Sequence, residues 1–192
     1  NFRINWYLDT TGTFDPQPNT TYSLSIIPSD SSDFDPVTGE LTTPGPPELI
    51  DSLSQDTIIA SEHFDIYWNP QETGNGMITG EVIFEEDGLD STRDEWCGGF
   101  FQGSVDLSDS SYAVPGEFCE ESTDTLGPKD YYIRLTAMDD NYYEYFITGE
   151  VGEYSNMLLN YPTTKGRSVG IEGGFGFFGS IASDGVLRTI VP

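Results

Sequence analysis

The stretch Gly173-Gly-Phe-Gly-Phe-Phe-Gly179, "GGFGFFG", decides between two fold classes. Gly174, Gly176 and Gly179 match the dinucleotide fingerprint G-x-G-x-x-G. That fingerprint works only between a strand and a helix whose N-terminus meets the pyrophosphate, with an acidic residue about 20 positions on to hold the ribose. Gly179 is succeeded by "SIASDGVLRTIV": β-branched residues and a turn composition, without helical spacing. A nucleotide-binding α/β fold is therefore excluded. Phenylalanines between glycines read instead as a strand, bulky on one side and open to close approach on the other.

Upstream, the alternation of apolar and polar residues repeats this reading. "NFRINWYL" sets Phe2, Ile4, Trp6 and Leu8 against Arg3, Asn5 and Tyr7. "TYSLSII", "DTIIA", "HFDIYWNP", "MITGEVIFE" and "YYIRLTAM" continue it. Ser183-Asp184-Gly185 has the composition of a hairpin turn, so residues 168–191 are expected to form two strands joined there. The exception to the strand pattern is "DDNYYEYF", where Asp139, Asp140 and Asn141 precede Tyr142, Tyr145 and Phe146 at helical spacing. The expected fold is mainly β: Ig-like or β-sandwich units with one short helix near residues 140–158. The Pro-rich "LTTPGPPELIDSL" reads as a linker. It divides a small or partial Ig-like unit at 1–46 from a larger sandwich or barrel-like domain at 47–192.

Composition limits partners. Thirty-three acids face seven Lys and Arg over 192 residues, a formal net charge of -26. Nucleic acid and anionic membranes are contacted through Lys and Arg, so both are poor partners. No apolar run is long enough to span a bilayer as a helix. Cys97 and Cys119 lack the spacing of a metal site, and a disulfide closing a loop of about 20 residues, worth about 3 kcal/mol, is the expectation. A disulfide places the chain outside the cytoplasm. Asn1 in place of an initiator Met is expected of a processed product.

Catalytic patterns are present but lack their partners. "GRSVG" matches the nucleophile elbow G-x-S-x-G, but the one histidine, His63, lies far upstream at a strand start. Glu81, Glu85, Glu144 and Glu150 could be paired as glycosidase carboxylates only if a cleft gathered them. No enzyme is expected. Calcium is the cofactor to weigh: Asp30, Asp33 and Asp35 offer hard oxygens in one loop, with Glu85, Glu86, Asp87 and Asp90 in another. Neither fits the EF-hand pattern, and ordinary acidic loops are the competing reading.

The stretch Asn160 to Ser180 resembles the C-terminal signature of a family of bacterial outer-membrane lipoproteins, the domain-of-unknown-function family forty-two forty-nine. Ile171, Glu172, Gly173, Gly174, Gly176, Phe178 and Gly179 carry the resemblance. Gly170 stands where the family has Asn, and the family's lipid-bearing Cys lies outside this sequence, as expected either of a fragment or of a member without a lipid anchor. The resemblance implies an exported β-rich surface protein and supplies no reaction.

Two functions are expected to compete. One is a non-catalytic extracellular or cell-surface structural or interaction protein, a subunit of an assembly or filament joined by β-strand addition through Phe2, Ile4, Trp6 and Leu8, with protein partners that include copies of itself; the competing reading is that this strand pairs within its own domain. The other is an accessory protein binding a surface glycan or calcium, favoured if Trp6, Trp68 or Trp96 is presented on a concave face.

Overall fold

The structure is a computed structural model. It describes residues 10–27, 36–72, 74–83, 100–115, 127–148, 168–174 and 176–191. Its strands are β1 (Thr21–Ile26), β2 (Val37–Thr42), β3 (Thr57–Ile59), β4 (Phe64–Tyr67), β5 (Asn75–Ile83), β6 (Phe100–Asp106), β7 (Ser111–Val114), β8 (Lys129–Met138), β9 (Ser168–Val169), β10 (Ile171–Glu172), β11 (Gly176–Phe177) and β12 (Ile181–Val191). One short helix, α1 (Asp140–Tyr143), runs into a π-helical turn at Glu144–Thr148. The chain is mainly β, as its alternation predicts.

β8 shows how the pattern becomes a core. Tyr131, Ile133, Leu135 and Ala137 point to one face and are buried, while Asp130 and Arg134 stay exposed on the other. β8 lies in a five-stranded sheet of order β3-β12-β8-β5-β6, antiparallel except where β3 runs parallel to β12. The two-stranded sheet β4-β7 covers its inner face: Phe64, Ile66, Trp68 and Val114 share one buried cluster with Ile58, Ile78, Val82 and the β8 residues. Phe64 meets Tyr131 edge to ring, with centroids 6.4 Å apart. The chain alternates between the sheets in the manner of immunoglobulin-type sandwiches: β4, then β5 and β6 opposite, β7 back beside β4, and β8 and β12 opposite again.

Two local expectations are corrected. Residues 181–191 form one continuous strand, not a hairpin turning at Ser183-Asp184-Gly185. Each turn-forming residue is occupied within the ladder. The Ser183 hydroxyl hydrogen bonds that of Thr136 at 3.0 Å, and the Asp184 carboxylate accepts from the Leu49 and Gly185 main-chain N–H groups. Gly185 lies under the Tyr132 ring, where a Cβ would strike the phenol.

The Pro-rich segment is no freestanding linker either. Leu49 bridges Trp68, Ile50 N–H donates to Tyr67 O at 2.8 Å, and Asn69 N–H donates to Glu48 O at 2.9 Å. The segment thus lies along the otherwise open side of β4. Pairing also crosses the expected boundary at residue 46, since β10 joins β1 and β2 in a three-stranded sheet of order β1-β2-β10.

Candidate functional site

The connection from β8 to β12 builds the surface of interest. Asp139 caps α1: its carboxylate accepts from Tyr142 N–H at 2.6 Å and from the Ser180 N–H and hydroxyl at 2.7 and 2.8 Å. This fixes the helix start to the entry of β12. Next in sequence, the Asn141 amide donates to Glu40 O and Phe178 O, both at 2.9 Å. Gly170 makes room for that amide. Its φ is +70°, and a side chain there would collide with Asn141. Gly170 O in turn accepts from Glu40 N–H at 3.2 Å. The "GGFGFFG" stretch thus leads to β12 rather than to a helix, and its environment serves to hold β2.

The sheet held this way is two-faced. In register, Tyr22 opposes Leu41, Leu24 opposes Gly39 and Ile26 opposes Val37, with Ile171 beyond Gly39. The alternate face sets Thr21, Ser23 and Ser25 opposite Thr42, Glu40 and Thr38, with Glu172 beyond Thr38. Every apolar side chain of the sheet is therefore on one face, and its two charges, Glu40 and Glu172, are on the other. An open depression of about 690 Å³ is lined by β1, β2 and Gly170–Glu172.

β1 is the outer strand of this sheet, and among the described residues no strand pairs with its second side. The outer N–H and C=O groups of such an edge strand are donors and acceptors that another strand can engage. Sheet edges are ordinarily guarded by charge, Pro, Gly kinks or short length. β1 has none of these guards. From Pro16 to Ser29 no residue is charged, in a chain where 21% of residues are. Ile26 and Ile27, at its end, are 54% and 72% exposed. The other edges differ: β3 has three residues, β7 four, and β6 carries Gly103 and ends in Asp106.

A second apolar feature lies beside the insertion. Tyr145 stacks on Phe177 with centroids 4.7 Å apart, and Phe146 and Tyr142 close the group, with Phe146 49% exposed. Neither this cluster nor the bareness of the β1 edge is visible in the sequence reading, although the uncharged run 16–29 is a signal for the latter.

The residues singled out from sequence fare unevenly. Phe2, Ile4, Trp6 and Leu8, the loop acids Asp30, Asp33 and Asp35, and Cys97 and Cys119 all lie outside the described residues, as do Trp96, Glu150 and the acids from Glu85 to Asp90. Trp68 is fully buried in the sandwich core, so it offers no ring for a sugar to stack on. Ser168 of "GRSVG" donates its hydroxyl to Gly174 O at 2.7 Å, in a short strand. His63, Glu81 and Glu144 are exposed on separate elements. Among the described residues no three His, Cys, Asp or Glu are grouped as metal ligands, and no helix is long and apolar enough to cross a membrane. Among the described residues, two groups titrate away from their usual range. The Asp106 carboxyl is held low by the Ser108 N–H and hydroxyl that donate to it, and burial pushes the Tyr131 phenol up. The first sits in a surface turn and the second inside the core, so neither is placed as an acid or base for a substrate.

No family model, curated protein or solved structure matches the chain.

Proposed function

We propose that this protein is a non-catalytic, extracellular or cell-surface interaction module that associates by β-strand addition, β1 being the edge that receives the incoming strand. One observation carries the reading: a six-residue edge strand, uncharged and free of Pro and Gly, that ends in exposed Ile26 and is followed by exposed Ile27. In a chain of net charge -26, selection for solubility alone would place acids there. Main-chain hydrogen bonds along β1 supply affinity, and the apolar face of Tyr22, Leu24 and Ile26 supplies side-chain fit. The location is carried over from the sequence expectation of a Cys97–Cys119 disulfide, both cysteines lying outside the described residues. The glycan- or calcium-binding alternative has lost Trp68 as a platform.

The test is sedimentation velocity across a concentration series for the native chain and for Ile26→Lys, an exposed position where a charge leaves folding intact. Association should appear in the native chain and be lost in the variant. A native chain that stays monomeric at every concentration, or a variant that associates equally well, would rule the reading out.

A further inference from the structure

We infer that the strand received by β1 is residues 2–8 of a second copy of this chain. The inference rests on the reading of β1 as an acceptor edge and names its partner.

Pattern and charge both point there. Strand addition extends each face of the acceptor sheet by one strand, so the donor must alternate in phase with β1. Within "NFRINWYL" the apolar set Phe2, Ile4 and Trp6 has the spacing of Tyr22, Leu24 and Ile26. Laid along β1 in parallel or antiparallel direction, those residues extend the apolar face. Arg3 and Asn5 then fall on the face of Ser23 and Ser25.

That second face is where Glu40 and Glu172 stand, the two charges of the three-stranded sheet, both exposed. Arg3 is one of only seven basic residues in the chain. Among the described ones, Arg188 is committed to Asp51, Lys129 is engaged, and Arg134 lies over the Tyr132 ring. A donor strand next to β1 lies two strand spacings, about 10 Å, from β2. Ser23, directly opposite Glu40, is small enough for an arginine side chain to extend across it. The donor thus brings a cation to the one face of the sheet that carries only negative charge. A strand from an unrelated acidic chain would bring more repulsion instead.

The experiment compares the native full chain with a deletion of residues 1–9, with Ile26→Lys, and with Arg3→Glu alone or joined to Glu40→Arg. Sedimentation velocity reads association, and a labelled peptide of residues 1–9 is titrated into the deletion form. Circular dichroism confirms that each form is folded. The expected results are association in the native chain, a monomeric deletion form that binds the peptide, and no peptide binding once Ile26→Lys is added to the deletion. Arg3→Glu should weaken association by about 2- to 5-fold, as for an exposed ion pair, and Glu40→Arg should restore it.

If the deletion form still associates while Ile26→Lys does not, the donor assignment is wrong and the acceptor edge stands. If Ile26→Lys associates as the native chain does, both are wrong. A native chain that is monomeric at every concentration, with a deletion form that still binds the peptide, shows residues 2–8 pairing within their own copy and overturns the inference.

Discussion

Asn141 and Glu40, 101 positions apart in sequence, are joined by a 2.9 Å hydrogen bond from the side-chain amide of one to the main-chain carbonyl of the other. The same amide donates its second hydrogen to Phe178 O. One side chain therefore ties the α1 insertion to the sheet that carries the open edge. Asn141→Ala leaves two carbonyls without their donor and should destabilise the chain by about 1–3 kcal/mol. Hydrogen exchange should rise at β2 and β10 more than at β8. Uniform exchange changes across both sheets would contradict this placement.

Tyr131 is fully buried and its hydroxyl has no hydrogen-bond partner in the structure. An unfolded phenol titrates near pH 10, whereas burial holds this one higher. The folded state therefore retains the proton longer than the unfolded state. The stability linked to this group is complete below about pH 10 and is lost as pH rises above it. Tyr131→Phe removes both the alkaline loss and an unpaired hydroxyl. Urea denaturation should find the variant within about 1 kcal/mol of the native chain at pH 7, or above it. Its decline between about pH 10 and 11 should be the shallower of the two.

Tyr132, a diagonal neighbour of Gly185 across the β12–β8 pair, lays its phenol over Gly185, and its ring also lies under the Arg134 guanidinium at 5.2 Å. Gly185→Ala should displace the ring and cost about 1 kcal/mol, despite alanine's better fit to a strand. In a Tyr132→Ala background the same substitution should cost little. The non-additivity, read from thermal melts of the four forms, checks the contact.

Arg188 enters the sandwich from β12 and is buried, while its partner Asp51 is largely exposed. Its guanidinium also donates to Asp51 O and Leu187 O, but Nε has no partner. Asp51→Ala strands a buried cation that keeps two carbonyl acceptors, and about 1–2 kcal/mol should be lost. Arg188→Leu removes the charge along with its desolvation cost and should lie within about 1 kcal/mol of the native chain. Chemical denaturation of both variants decides the order.

Much of the fold is legible because strand faces are written locally. Tyr131, Ile133, Leu135 and Ala137 alternate with Asp130 and Arg134, and the burial accords with that pattern. Asp139 and Asn141 announce a helix start, and Asp139 caps one. The failures share a cause. Ser183-Asp184-Gly185 reads as a turn because those residue types satisfy their own backbone in turns. Here Thr136, Leu49 and Tyr132 engage them instead, and none of these is near in sequence. The edge status of β1 is illegible for the same reason. "TYSLSII" specifies a strand, whereas having a neighbour on one side only is a property of the assembled sheet.

β12 lies between β3 and β8, and its ten paired positions with β8 make it the longest ladder among the described residues. Until residues 181–191 arrive, β3 has no place to join and β8 presents a bare side to solvent. Sheet closure is thus a late and strongly non-local event, the kind that slows folding toward the millisecond-to-second range. A nascent chain that has not yet delivered this stretch exposes two incomplete edges at once. The window in which it is vulnerable to misassociation is set by how quickly β12 is supplied, not by the stability of the finished sandwich.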